Sequence, residues 1–213
     1  MSHRACGIAR RFALDHSGLA LIEFAMIFPI LLTLCLTGAE LTNYIVTKTQ
    51  VSQLALMVAD NAARMGGGSP LAAKTVSERD INDLFVGADL QAGNLKLSKN
   101  GRVILSDVEE DPSNVGKFQI RWQRCYGGQK MHPSTYGTAP AVNLVGIGPA
   151  NRQITAQANS ATMFVEVYYV YTPLVSASLV PSTAMTEIAS MAVRDRRNLS
   201  LPAQSGSVIP SNC

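Results

Sequence analysis

The sequence predicts an α+β protein in which one long N-terminal helix crosses a membrane, continues into an extracytoplasmic domain and lies across an antiparallel sheet of four or five strands. Three observations carry this prediction. An apolar run of membrane length extends from Leu19 to Ala39, an amphipathic stripe prolongs it to Met65, and period-two alternation replaces the helical period in the second half of the chain.

The run Leu19 to Ala39 holds Glu23 as its single charged side chain. At about 1.5 Å of rise per residue, a helix of this length spans a hydrocarbon core of roughly 30 Å. Arg4, Arg10 and Arg11 stand ahead of it against Asp15, a basic flank of the kind that stays on the cytoplasmic side, which places the remainder of the chain outside. Pro29 lacks a backbone donor and predicts a kink near Ala25, tolerable in a membrane where neighbouring helices re-satisfy the freed carbonyl.

A lipid-buried carboxylate costs on the order of 3 kcal/mol, so Glu23 needs a cation or a protein interface. Cleavage after Gly18 supplies the cation: Leu19 then carries a free α-ammonium one helical turn from Glu23. Within one chain the carboxylate relieves a positive charge that opposes the helix dipole. Between chains the same pairing sets axial register.

Gly18, four residues, then Glu23-Phe24, with a short basic leader before and an apolar helix behind, resembles the processing site of Flp-type type IV pilins. The long extracytoplasmic region is similar to that of the TadE-like minor pseudopilins of the tight-adherence system, and unlike the very short major pilin. The likeness covers about the first third of the chain, and beyond Gly66 only its general character persists. Phe24 departs from the Tyr that major pilins of this family carry there. The resemblance implies a pilin-like fold, processing at Gly18 and Leu19 by an inner-membrane prepilin peptidase, and assembly through Glu23 and Phe24. It also implies as partners other pilus subunits and minor pseudopilins, an inner-membrane assembly platform and the lipid bilayer. The expected location is the bacterial inner membrane, single-pass with the C-terminal domain in the periplasm, with incorporation into an extracellular adhesive pilus. Four segments follow: leader 1–18, transmembrane helix 19–39, amphipathic extension 40–66 and α+β domain 67–213.

Other readings of the N-terminus compete. An uncleaved single-pass inner-membrane anchor bearing a periplasmic sensor or binding module needs no processing. Thr37-Gly38-Ala39 offers small residues to a signal peptidase, although that leader is long and carries Glu23 in its apolar part. Leu34 before Cys35 argues against a lipobox, and nothing beyond Arg10-Arg11 supports a twin-arginine signal.

Past the membrane run, Leu41, Tyr44 or Ile45, Val51, Leu54, Val58, Ala62 and Met65 recur every three or four residues, a helix face that packs on the sheet. Gly66 to Pro70 ends that helix in a linker, without the Gly-Lys-Ser/Thr of a phosphate loop. Thr75 with Glu78 reads as a capping box opening a short helix to about Ala88. Asn100-Gly101, between Leu95-Leu97 and Val103-Leu105, reads as a hairpin turn. Lys117 to Cys125 is a strand with Phe118, Ile120 and Trp122 on a buried face and Gln119, Arg121 and Gln123 on a wet one. Thr162 to Tyr171 and Ala184 to Val193 complete the sheet, and the loop Gly127 to Asn159 is long enough to be functional or mobile.

Chemistry has little foothold. His3 and His16 belong to the leader, so His132 stands alone, too little for a metal cluster or an oriented triad, and no catalytic residue, metal site or cofactor is expected. Glu109-Glu110-Asp111 before Pro112 reads as a solvated turn, and Arg194, Arg196 and Arg197 around Asp195 as solvated surface. Charged residues make up 15% of the chain, and loss of residues 1–18 leaves 15 basic against 14 acidic side chains, a balance with no footprint for nucleic acid. Cys6 falls in the leader and Cys35 in the membrane helix. Cys125 and Cys213 are left to reach an oxidising compartment, where a disulfide worth about 2–4 kcal/mol is expected.

Overall fold

The computed structural model describes residues 17–69 and 72–213. The leader up to His16, with Arg4, Cys6, Arg10, Arg11 and Asp15, and Pro70 of the linker lie outside the described residues.

Helix α1 runs unbroken from Ser17–Arg64, through Pro29. Its two halves differ in surroundings. Every described side chain from Gly18 to Leu36 is exposed, whereas Val51, Leu54, Ala55, Val58, Ala59, Ala62 and Ala63 are buried. Spacings of three and four put these seven on one stripe, and the small alanines let the helix lie close to the sheet. Leu41 and Ile45, expected on the same stripe, remain exposed at 39% and 62% because the domain begins to cover the helix only at Glu40, Asn43 and Tyr44.

Helix α2 (Glu78–Ala92) starts two residues later than the sequence suggests and ends four later. Its capping box is Ser77 with Asp80: the Asp80 amide donates to Ser77 Oγ over 3.3 Å, and the Ser77 amide donates to Asp80 Oδ2 over 2.9 Å. Glu78 cannot close a box with Thr75, because its carboxylate is buried and accepts from the Arg124 guanidinium. Ile81, Phe85, Ala88 and Ala92 form the buried face of α2.

Strands β1 (Gly101–Glu110), β2 (Phe118–Gly127), β3 (Ala141–Leu144), β4 (Ala161–Val170) and β5 (Ala184–Ala192) form one antiparallel sheet in the order β3-β2-β1-β4-β5. Helix α1 lies across β4 and β5, and α2 packs beside it. The count of five agrees with the expectation, but one member differs. Leu95 to Asn100 is a 3-10 turn followed by the short helix α3 (Leu97–Asn100), so Asn100-Gly101 is no hairpin turn. Both edges of β1 are occupied, by β2 (Arg102 opposite Gly127) and by β4 (Gly101 opposite Tyr169), which leaves a preceding strand nothing to pair with. Leu97 instead enters the core, fully buried. Gly127 adopts φ +121, and a Cβ there would stand 2.3 Å from the Gly101 carbonyl oxygen, so this crossing requires glycine.

The strand β2 alternation also fails as a one-face reading. The pairing of Asp107 with Trp122 and of Val108 with Ile120 leaves Arg121 as a bulge. The extra residue reverses the side-chain parity. Trp122 therefore faces α1 and the main core, while Ile120 and Phe118 face the opposite side, where Ile120 joins Val108, Ile147 and Phe164. That opposite side is not wet. The loop after β2 folds back over it, contributing β3 and the Ile147–Ile154 bridge, and Gln123 donates to Ser106 Oγ over 2.8 Å and to the Gly137 carbonyl over 3.1 Å. Both faces of the central strands are thus covered. In β4 the predicted face survives intact: Met163, Val165, Val167 and Tyr169, with Tyr171 just beyond the strand, all enter the main core.

Candidate functional site

The exposed half of α1 is the feature without a partner in the fold. It is the described helix long and apolar enough to cross a membrane, and its most apolar stretch buries nothing against the domain. Gly18 has open space where a Cβ would stand. Leu19 and Glu23 are both exposed and one turn apart, and among the described residues no cation reaches Glu23. Phe24 packs its ring 5.2 Å from that of Phe28, along the helix rather than against the domain. Thr33 donates its hydroxyl to the Pro29 carbonyl over 2.7 Å, and Thr42 donates to the Gly38 carbonyl over 2.8 Å, so these hydroxyls stay satisfied without water.

The helix meets the domain through a polar joint that sequence reasoning missed. Glu40 is fully buried and its two oxygens are held from the far end of β4: Tyr171 Oη donates to Oε1 over 2.6 Å and the Val175 amide donates to Oε2 over 2.6 Å. Asn43, one turn further, donates to Tyr171 Oη over 2.7 Å, and the Tyr44 ring stands edge-on to Tyr171 with centroids 5.4 Å apart. The Tyr171 hydroxyl, helped by the backbone amides of residues 174–176, holds the Glu40 carboxyl below its ordinary value despite desolvation. The available sequence signal was its place as the first carboxylate after the apolar run.

At the other end of α1, Arg197 closes the helix. Its Nη2 donates to the carbonyls of Ala62 (3.2 Å), Ala63 (3.2 Å) and Met65 (2.7 Å), three acceptors that the helix end leaves free. Arg197 is therefore no solvated surface residue, while Asp195 beside it does pair with Lys74 at 2.6 Å on the outside. The acidic run is likewise not a solvated turn. Glu109, the last residue but one of β1, is buried, Asp111 accepts from the amides of Ser113 and Asn143 and from Asn114, and Glu110 alone is exposed. Glu109 stands beside Asp107 on the face toward α1. Burial and the neighbouring Glu109 push the Asp107 carboxyl well up, with Arg197 opposing, and burial raises Glu109.

Cys125 on β2 and Cys213 in the tail are joined, with Cα atoms 4.8 Å apart, and the Cys125 amide donates to Ser211 O over 2.7 Å beside the bond. This bond lies in the domain, remote in sequence from Gly18, Leu19, Glu23, Phe24 and Pro29. Cys35 is an exposed free thiol on the apolar half of α1. His132 has company that the sequence did not reveal: its ring stacks on Tyr168 at 3.7 Å, and Nε2 lies 3.8 Å from Glu166. Glu166 in turn accepts from the Thr135 amide and hydroxyl and from Ser134 Oγ, which pins the loop to the sheet. Among the described residues no group of three His, Cys, Asp or Glu side chains is placed to hold a metal.

An exposed apolar half-helix that begins at a glycine, carries a carboxylate one turn in and continues as the spine of a small sheet domain is the arrangement to compare with known families. Residues 18–67 match the model of the TadE-like protein family. The matched segment is α1 with the first residues of the linker, so the TadE-like part is the helix and its exposed half, while the sheet domain lies beyond it. Neither a curated protein nor a solved structure matches the chain. The match is consistent with a TadE-like protein of the Flp/Tad pilus and, together with the long apolar helix, suggests a membrane-anchored pilus component.

Proposed function

We propose that this chain is a minor pilin or pseudopilin that takes part in assembly or priming of a Flp/Tad-type adhesive pilus. Its role is structural rather than enzymatic, and its sheet domain stands in the periplasm. A prepilin peptidase cuts after Gly18, Glu23 meets the freed amine of Leu19 in its own or a neighbouring chain, and the assembly platform draws the helix into register with other subunits. The observation that carries this reading is the TadE-like match falling on a helix whose first half is exposed and opens with Gly18, Leu19 and Glu23. In lipid the exposed half meets acyl chains, and in a filament it meets the equivalent helices of other subunits, so one apolar surface serves both environments.

The test is the N-terminal residue of the membrane-extracted protein, read by intact-mass spectrometry after co-expression with its cognate peptidase. The expected start is Leu19. Gly18→Phe should block processing, and Glu23→Gln should give a processed, stable protein that fails to enter the assembly; normal assembly of that variant would falsify the register role. An intact N-terminus favours the second reading, an uncleaved inner-membrane anchor for a periplasmic sensor or binding module. The specific observation on its side is a cationic cavity in the sheet domain.

A further inference from the structure

A cavity of about 770 Å³ opens between β2, the loop that follows it and the tail that ends at Cys213. Its lining includes the cations Arg102, Arg121, Arg124 and Lys130 and no Asp or Glu side chain. Two of the four are answered elsewhere: Arg124 is paired with Glu78, and the charge of Arg121 acts on Glu109. Arg102 is different. It is 95% buried, at 5% exposure, yet its Nε has no hydrogen-bond acceptor among the described residues, and its Nη2 makes one long 3.4 Å contact to Cys213 O. Burial lowers its pKa from the ordinary arginine value.

A buried guanidinium nitrogen without an acceptor is costly unless something completes it. Arg102 is the second residue of β1, paired with Gly127 on one side and Tyr168 on the other, which fixes its backbone in the centre of the sheet. Lys130, exposed at the rim, has no acidic partner among the described residues. The rest of the wall is apolar, with Met131, Pro133 and Pro140. A guanidinium edge and an ammonium above an apolar floor suit a planar or tetrahedral oxyanion carried on an apolar body better than a bare hydrated ion.

We propose that this cavity is a binding site for an oxyanion, a carboxylate or a phosphate group on an apolar carrier, with Arg102 as its buried anchor and Lys130 as its rim contact. The site is independent of the helix-mediated assembly described above.

Isothermal titration calorimetry of the full-length protein in detergent micelles reports occupancy. The probes are N-acetylphenylalanine, its uncharged amide twin, and inorganic phosphate. The expected result is a saturable heat with N-acetylphenylalanine, none with the amide, and weakening by added salt. Competition by phosphate extends the site to phosphate carriers, and its absence restricts the site to carboxylates; either supports the proposal. Arg102→Gln should weaken binding about tenfold or more, the loss expected of a charged hydrogen bond. Lys130→Gln, an exposed change that folding tolerates, should weaken it roughly two- to fivefold. No saturable heat with any oxyanion, or equal response to the acid and its amide, overturns the assignment. So does binding indifferent to both Lys130→Gln and salt, even where Arg102→Gln fails to fold.

Discussion

Tyr171 donates its hydroxyl to Glu40 across 2.6 Å, tying a residue just past the end of β4 to the first residue of α1 beyond its apolar run. The bond joins positions 131 residues apart and is buried. It decides where the exposed half-helix leaves the domain, because Asn43 and the Val175 amide complete the same network from both sides.

Tyr171→Phe should therefore lower the thermal stability of the full chain more than Tyr168→Phe, and should speed amide exchange at Val175, both readable by hydrogen exchange mass spectrometry alongside thermal melts. The pH dependence has a definite sign. The folded-state pKa of Glu40 is depressed, so its contribution is complete above the unfolded carboxyl value of about 4.3 and disappears as pH falls through the lower folded value. The stability difference between the native chain and Glu40→Gln should shrink toward zero only on that acid side; a difference that instead grew with acid would contradict the network.

Arg197 carries the far end of α1. Replacing it with Met keeps the stem and removes the donors, which leaves the carbonyls of Ala62, Ala63 and Met65 buried without their guanidinium. A loss of about 3 kcal/mol is expected in chemical denaturation. Fraying should be confined to the last turn of α1, where Ala62 and Ala63 lie, and exchange there that matches the native chain would show the cap to be dispensable.

Asp107 runs in the opposite sense. Its folded-state pKa is raised, so the folded protein binds more protons than the unfolded chain, and stability declines as pH climbs from the unfolded aspartate value of about 3.9 toward the higher folded one. Asp107→Asn should flatten that decline and raise stability by on the order of 1 kcal/mol in mildly alkaline buffer, since a neutral amide avoids the desolvated charge. Denaturation midpoints against pH for the two chains check this, and parallel profiles would rule it out.

Glu78 and Arg124 form a two-pronged pair between α2 and β2, with the Arg124 Nε to Glu78 Oε2 distance at 3.0 Å and side chains only 3% and 16% exposed. Removing one partner strands the other, so Glu78→Met or Arg124→Met alone should cost about 3 kcal/mol, and the two together should recover much of the loss. Four chains in urea complete the double-mutant cycle; a double variant as unstable as the sum of the singles would show the pair is not coupled.

The bond between Cys125 and Cys213 closes a separation of 88 residues and forms part of the cavity wall. Cys213→Ser should lower stability by about 2–4 kcal/mol and weaken N-acetylphenylalanine binding in the same preparation. Unchanged urea midpoints in oxidised and reduced samples would show that the tail is held by other contacts.

Several elements were legible because their signals are local. The long helix and the alternation of Met163, Val165, Val167 and Tyr169 follow from side-chain period against one buried face, and the less regular terminal strand also stands within its expected bounds. The exposed Gly18, Leu19 and Glu23 could be singled out for the same reason: a charge inside an apolar run is visible without any tertiary information.

The failures have a common cause. Asn100-Gly101 is a good turn by its own chemistry, but β2 and β4 take both edges of β1, and the preceding residues coil into α3. The Arg121 bulge reverses strand parity through pairing with a distant strand, which no alternation in β2 announces. Glu40, Arg197, Glu166 and Arg102 look like ordinary surface charges in the sequence because their partners lie 31 or more residues away.

By itself, then, the sequence determined the membrane-length helix, the position of its lone carboxylate, the α+β class and the pairing of Cys125 with Cys213. The fold alone decided which strand borders which, that both sheet faces are covered, and which charges are buried against which partners. The physical reason is range: periodicity and propensity act within a few residues, whereas edge occupancy and the desolvation of a charge depend on what the rest of the chain brings to that place.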